Sequence, residues 1–126
     1  MARAKGKRES ASPLRLRLLL GNGRAFGPGK ADLLEGIAVH GSIAAAGRAL
    51  GMSYKRAWQL VEDVNRSFDS PLVSANKGGE KGGGAVLTAA GRRVLDLYRT
   101  IETTSRRAAS KELQALHRLT TARRQT

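Results

Sequence analysis

Few residues in this chain are spaced for catalysis. His40 and His117 stand apart, with no second ligand at metal spacing, and the absence of cysteine removes thiolate sites and disulfides. The segment Gly78-Gly79-Glu80-Lys81-Gly82 superficially suits a phosphate, but no Ser or Thr follows the lysine and no strand–loop–helix order surrounds it. No nucleophile is visibly paired with a base. These patterns point away from an enzyme, and neither a metal nor a cofactor is expected.

The polar residues that do cluster are Ser53, Tyr54, Lys55 and Arg56, with Gln59 one turn further along. Arginine can pair bidentately with guanine and glutamine with adenine, while Ser and Tyr can serve phosphates or bases. A second group is the Gly-Lys segment 76–84, in which Lys77 and Lys81 supply positive charge. Its glycines would let the backbone follow a groove closely.

The elements that position these groups follow from periodicity. Leu14, Leu16, Leu18 and Leu20 alternate as one face of a strand, and residues 21–29 form a Gly-rich connection. Pro28 suits the first turn of a helix reaching about Val39, with Leu33, Leu34, Ile37 and Ala38 at helical spacing. His40-Gly41 ends it. Ser42 caps a short helix over 43–50, in which Ala45, Ala46 and Ala49 permit close helix approach. After a tight turn at Gly51-Met52, Ser53 caps a longer helix with Ala57, Leu60, Val61 and Val64 on its buried stripe. Trp58 sits among these apolar neighbours and reads as core. Residues 72–75 and 85–87 are predicted strands flanking the Gly-Lys loop, and Thr88 caps a final helix to about residue 119, with a kink or change of partner expected in the polar stretch 102–107.

Helix, tight turn and a second helix opening on basic residues are the parts of a helix-turn-helix, whose second helix enters the major groove. The hairpin after it is what a wing requires. Ser42, Ser53, Tyr54, Lys55, Arg56, Gln59, Lys77 and Lys81 are therefore the expected DNA-binding residues. The same pattern also fits a helical hairpin with Lys55 and Arg56 merely solvated, and a flexible surface loop. The expected fold class is mainly α with a small β-sheet. It divides into a disordered basic arm (1–12), a winged helix-turn-helix (13–87), and a C-terminal dimerisation helix with a short basic tail (88–126).

Charge agrees with a polyanionic partner. The chain carries 23 Lys and Arg against 10 Asp and Glu, a net +13 over 126 residues. Residues 1–30 and 71–126 are each net +7, whereas 31–70 are net −1. A uniformly basic chain would fit a ribosomal protein better. Arg15 and Arg17 interrupt the leucines that could form a signal or membrane segment, so the expectation is a cytoplasmic protein without a membrane partner.

Two blocks carry a resemblance: Ser53-Tyr54-Lys55-Arg56-Ala57-Trp58, and Gly82-Gly83-Gly84-Ala85-Val86-Leu87-Thr88. Within GSIAAAGRALGMSYKRAWQLVEDVN and KGGEKGGGAVLTAAGRRVLDLY they resemble the N-terminal DNA-binding domain of the ModE family, the molybdate-responsive transcriptional regulators. The resemblance implies a winged helix, a homodimer and a palindromic operator, with molybdenum-related gene control. ModE-type regulators continue into molybdate-binding domains beginning with a Ser-Ala-Arg-Asn-Gln-like segment. Here Thr121-Ala122-Arg123-Arg124-Gln125 stands at that place, five residues that match weakly, and no molybdate is expected on this chain alone. The expected dimer contacts are Leu33, Leu34, Ile37, Leu97, Ile101, Leu113 and Leu116. A non-specific nucleoid or ribosome-associated protein, and a modulator that heterodimerises with a full-length homologue, are the alternatives.

Overall fold

The computed structural model describes residues 14–76 and 83–120. The basic arm (1–12), the wing-loop residues Lys77 and Lys81, and the tail with Thr121, Arg123 and Arg124 lie outside the described residues. Two compact units are present, one running from Leu16 to Tyr98 and the other containing the chain from Arg99 onward.

The first unit opens with a hairpin. β1 (Leu18–Gly21) pairs antiparallel with β2 (Arg24–Phe26), in register Leu18 to Phe26 and Leu19 to Ala25, with a shift before Gly21. The turn runs through Gly21, Asn22 and Gly23, all with positive φ. Two glycines and an asparagine are the residues that adopt this backbone cheaply. The segment read as a mere connection thus contains a strand, and the Asn-Gly pair was the available signal. The expected alternation holds in part: Leu14, Leu16 and Leu18 are half-buried while Arg15, Arg17 and Leu19 are exposed, but Leu20, beside the turn, is exposed too, and the paired strand begins only at Leu18.

Three helices follow. α1 (Pro28–His40) begins with proline, whose missing N–H is no loss in a first turn, and closes on Gly41, whose N–H donates to Ile37 O at 2.8 Å. α2 (Ile43–Ala49) and α3 (Tyr54–Ser67) are joined by a turn in which Gly51 has φ 74°. That left-handed value strains residues with a β-carbon.

The close approach of α2 to its neighbours differs in detail from expectation. Ala46 faces Gly36 of α1 and Gly47 faces Ala57 of α3, each glycine holding a site where a β-carbon would stand 3.0–3.1 Å from the opposing alanine. Ala45 is only half-buried and Ala49 is exposed.

β3 (Val73–Ala75) and β4 (Ala85–Leu87) pair antiparallel, Val73 with Leu87 and Ala75 with Ala85, as the hairpin of the wing. Thr88 caps α4 (Ala89–Ala108), its Oγ1 accepting from Gly91 N at 3.0 Å. A break at Ala109 separates α4 from α5 (Ser110–Arg118). The final helix, with its kink expected in the polar stretch 102–107, is thus two helices, and the interruption lies just beyond that stretch.

The core of the first unit is built from Phe26, Leu33, Leu34, Ile37, Leu72 and Tyr98, all nearly inaccessible. Phe26 packs edge-on to Tyr98 (ring centroids 5.2 Å apart) and to Phe68 (6.1 Å), so β2 joins the end of α3 to α4. The Tyr98 hydroxyl donates to Leu16 O at 2.6 Å. This arrangement corrects one expectation. Leu33, Leu34 and Ile37 are at most 2% exposed within the single chain, so they pack its own core and present no surface to a second copy. Helical spacing marks an apolar stripe without saying what covers it.

Candidate nucleic-acid interface

The interface is built on α3. Ser53 lies outside the helix in extended conformation, and its Oγ accepts from Arg56 N at 3.0 Å, satisfying one of the otherwise unpaired first-turn donors. Ser42 does the same for α2, accepting from Ala45 N at 3.0 Å. Both serines thus spend their hydroxyls on the helix starts. They fix where the polar side chains begin.

Buried and exposed faces of α3 are opposed. Ala57, Leu60, Val61 and Val64 are buried, as expected, whereas Tyr54, Lys55, Arg56 and Gln59 are all exposed. Tyr54 is 59% exposed and stands edge-on to Trp58 at 6.1 Å. Trp58 itself is half-buried against the core with its indole N–H enclosed, so it supports the helix and is no platform for bases. The structure brings Tyr54, Lys55, Arg56 and Gln59 together on the open side of one capped helix.

The base of the wing is tied to the helix-turn-helix at two points. From the α1–α2 turn, Gly41 O accepts from Ala85 N at 2.9 Å. From α3, Asn65 holds the start of β3: its Oδ1 accepts from Leu72 N (2.8 Å) and Val73 N (3.0 Å), and its Nδ2 donates to Val73 O (3.1 Å). Asn76 N also donates to Gly84 O at 2.8 Å, extending the pairing toward the loop. Asn65 escaped the sequence reading because a lone asparagine near a helix end resembles any solvated residue.

A second positioning group was also missed. Asp63 on α3 receives Arg24 of β2 at 3.0 Å and also Lys30 of α1, whose Nζ further donates to Ala25 O at 2.7 Å. One carboxylate thus links hairpin, α1 and α3. The Lys30 hydrogen bond, with the charges of Lys30, Arg24 and Arg66, outweighs desolvation and holds the Asp63 carboxyl below its ordinary range. A depressed folded-state pKa stabilises the fold above the unfolded value and ceases to do so as pH falls through the folded one. Stability should therefore drop below about pH 4. Asp63→Asn should be less stable than wild type at pH 7, with the gap narrowing on acidification. Denaturant melts across pH 2–7 check this, and a gap independent of pH would contradict it.

Residues 30–92, which hold α1, α2, α3, the wing and the start of α4, match the family of bacterial regulatory helix-turn-helix proteins, lysR family. The chain belongs to this family. Its members are DNA-binding transcriptional regulators, and the capped, outward-facing α3 is the second helix of the matched helix-turn-helix.

Individual relatives agree. The chain is 45% identical over 80 residues to the molybdenum-pterin-binding protein MopB of Rhodobacter capsulatus, a match covering 64% of this chain and 30% of that protein. It is 36% identical over 98 residues to the molybdenum transport protein ModE of Azotobacter vinelandii (78% of this chain, 36% of the relative). To the DNA-binding transcriptional dual regulator ModE of Escherichia coli it is 42% identical over 71 residues (56% and 27%). The resemblance to ModE read from the two sequence blocks is thus a measured similarity. The matches span about a third of these relatives' length. Among the described residues no helix is long and apolar enough to cross a membrane.

Proposed function

We propose that this chain is a ModE-type transcriptional regulator that binds a palindromic operator as a homodimer. The carrying observation is the exposed face of α3, where Tyr54, Lys55, Arg56 and Gln59 follow a serine cap opposite the buried stripe. In this reading Lys55, Arg56 and Gln59 meet base edges, Tyr54 meets a phosphate or a base, and Lys77 and Lys81 of the wing loop add phosphate charge. Ser42 and Ser53 present the two helix starts toward the backbone. The names of the relatives, which speak of molybdenum transport and molybdenum-pterin binding, favour target genes connected with molybdenum. This reading places operator binding in the helix-turn-helix without a bound oxyanion, so operator affinity of this chain should not respond to added molybdate. A molybdate-dependent affinity would refute that placement.

The dimer reading rests on apolar side chains of α4 and α5 that stay open to solvent. Leu97 is 46% exposed, Ile101 39% and Leu116 63%, with Leu113 half-buried. A twofold mate covering them would supply the second α3 that a palindrome demands, whose half-sites recur one DNA turn apart, about 34 Å. Sedimentation at micromolar concentration should give twice the chain mass, and deletion of residues 108–126 should weaken the association. A monomer whose mass the deletion leaves unchanged would defeat the dimer and its interface together.

A further inference from the structure

The open face of α3 extends past the residues already assigned. At 3.6 residues per turn, Lys55, Gln59, Glu62 and Arg66 fall within about 60° of arc, on a line roughly 16 Å long. All four are exposed, and this line runs opposite the buried stripe of Ala57, Leu60, Val61 and Val64. Glu62 is the acid in this line. The other acid of the helix, Asp63, is engaged by Arg24 and Lys30, whereas Glu62 has no ion pair or hydrogen bond among the described residues.

A carboxylate on this open face, in a chain with net charge +13, opposes binding to phosphate, and to every base edge that offers only acceptors. In the major groove guanine presents N7 and O6 acceptors, while cytosine presents an amino donor that Asp or Glu can accept from. Glu62 stands three residues, about 4.5 Å of rise, beyond Gln59. We propose that Glu62 is a specificity-determining residue, which selects a cytosine in each half-site and penalises sites without an amino group there. This inference rests on the reading of α3 as the recognition helix. Glu62 accepts from the cytosine N4 amino group, and the desolvation and repulsion it imposes elsewhere lower affinity for random DNA.

The test is selection of bound duplexes from a randomised pool with wild type, Glu62→Ala and Glu62→Gln at one salt concentration, with thermal unfolding as a folding control. Wild type should prefer cytosine over guanine at one position per half-site by about fivefold or more. Glu62→Ala should lose that preference, and Glu62→Gln should move it toward adenine, the partner of a side-chain amide. Both variants should bind random duplex about twofold or more tighter, because a like charge facing phosphate is gone. Unchanged base preferences in both variants, with a selective wild type, would overturn this inference alone. A wild type without any sequence preference would overturn the recognition-helix reading with it.

Discussion

Gly91→Ala is expected to destabilise the fold by about 3 kcal/mol, although glycine-to-alanine inside a helix ordinarily stabilises by about 1 kcal/mol. A β-carbon at Gly91 would lie 2.1 Å from the carbonyl oxygen of Leu72 and 3.0 Å from its carbon. Those atoms are main chain and cannot rotate away. Leu72 O is also held by Thr88 N at 2.9 Å, and Leu72 is fully buried. Relief therefore requires α4 to move off the start of the wing, loosening the Thr88 cap and the core around Leu72. A melting temperature lower by roughly 10 °C or more is the expected result. Gly29→Ala provides the control. Gly29 lies in α1, exposed, with nothing within 4 Å of a new β-carbon, so its substitution should be neutral or stabilising. Equal effects at the two sites would contradict the packing described for Gly91.

Asn65→Ala is expected to cost about 2–3 kcal/mol of stability and, more informatively, to uncouple the wing from α3. The substitution leaves Leu72 N and Val73 N without their shared acceptor and Val73 O without the amide donor. Both residues are buried, so water replaces these partners poorly. Asn65→Asp keeps the acceptor, loses the donor and sets a charge beside a carbonyl, so its stability should fall between alanine and wild type. In DNA binding, a displaced wing should lower affinity for all duplexes while leaving base preference intact, since Tyr54, Lys55, Arg56 and Gln59 stay in place. Denaturant titration and competition binding read the two effects separately. An Asn65→Ala protein with wild-type stability would show that these hydrogen bonds do not hold the wing.

The helix-turn-helix was legible because its signals are local. Ser42 and Ser53 announce their caps, Gly51 the turn, and the spacing of Ala57, Leu60, Val61 and Val64 the buried face. What escaped is tertiary. Spacing marks Leu33, Leu34 and Ile37 as apolar, but whether a chain buries them in its own core or against a copy depends on what packs there. Asp63 and Asn65 look like solvated helix residues until Arg24, Lys30 and β3 are brought beside them. The strand Arg24–Phe26 is three residues long, too short for alternation to register, and its Phe26 proves central to the core.

The claim that α3 reads sequence is tested most directly by the ratio of specific to non-specific affinity, measured over a salt series for wild type, Lys55→Ala, Arg56→Ala and the wing variants Lys77→Ala and Lys81→Ala. Wild type should strongly prefer a two-half-site duplex over random DNA. Arg56→Ala should lose about 1–3 kcal/mol on that duplex and little on random DNA, and Lys55→Ala should also erode the ratio. Each wing substitution should weaken both duplexes alike and reduce the salt slope by about one. Equal affinity for every duplex, or a ratio untouched by both Lys55→Ala and Arg56→Ala, would contradict the account.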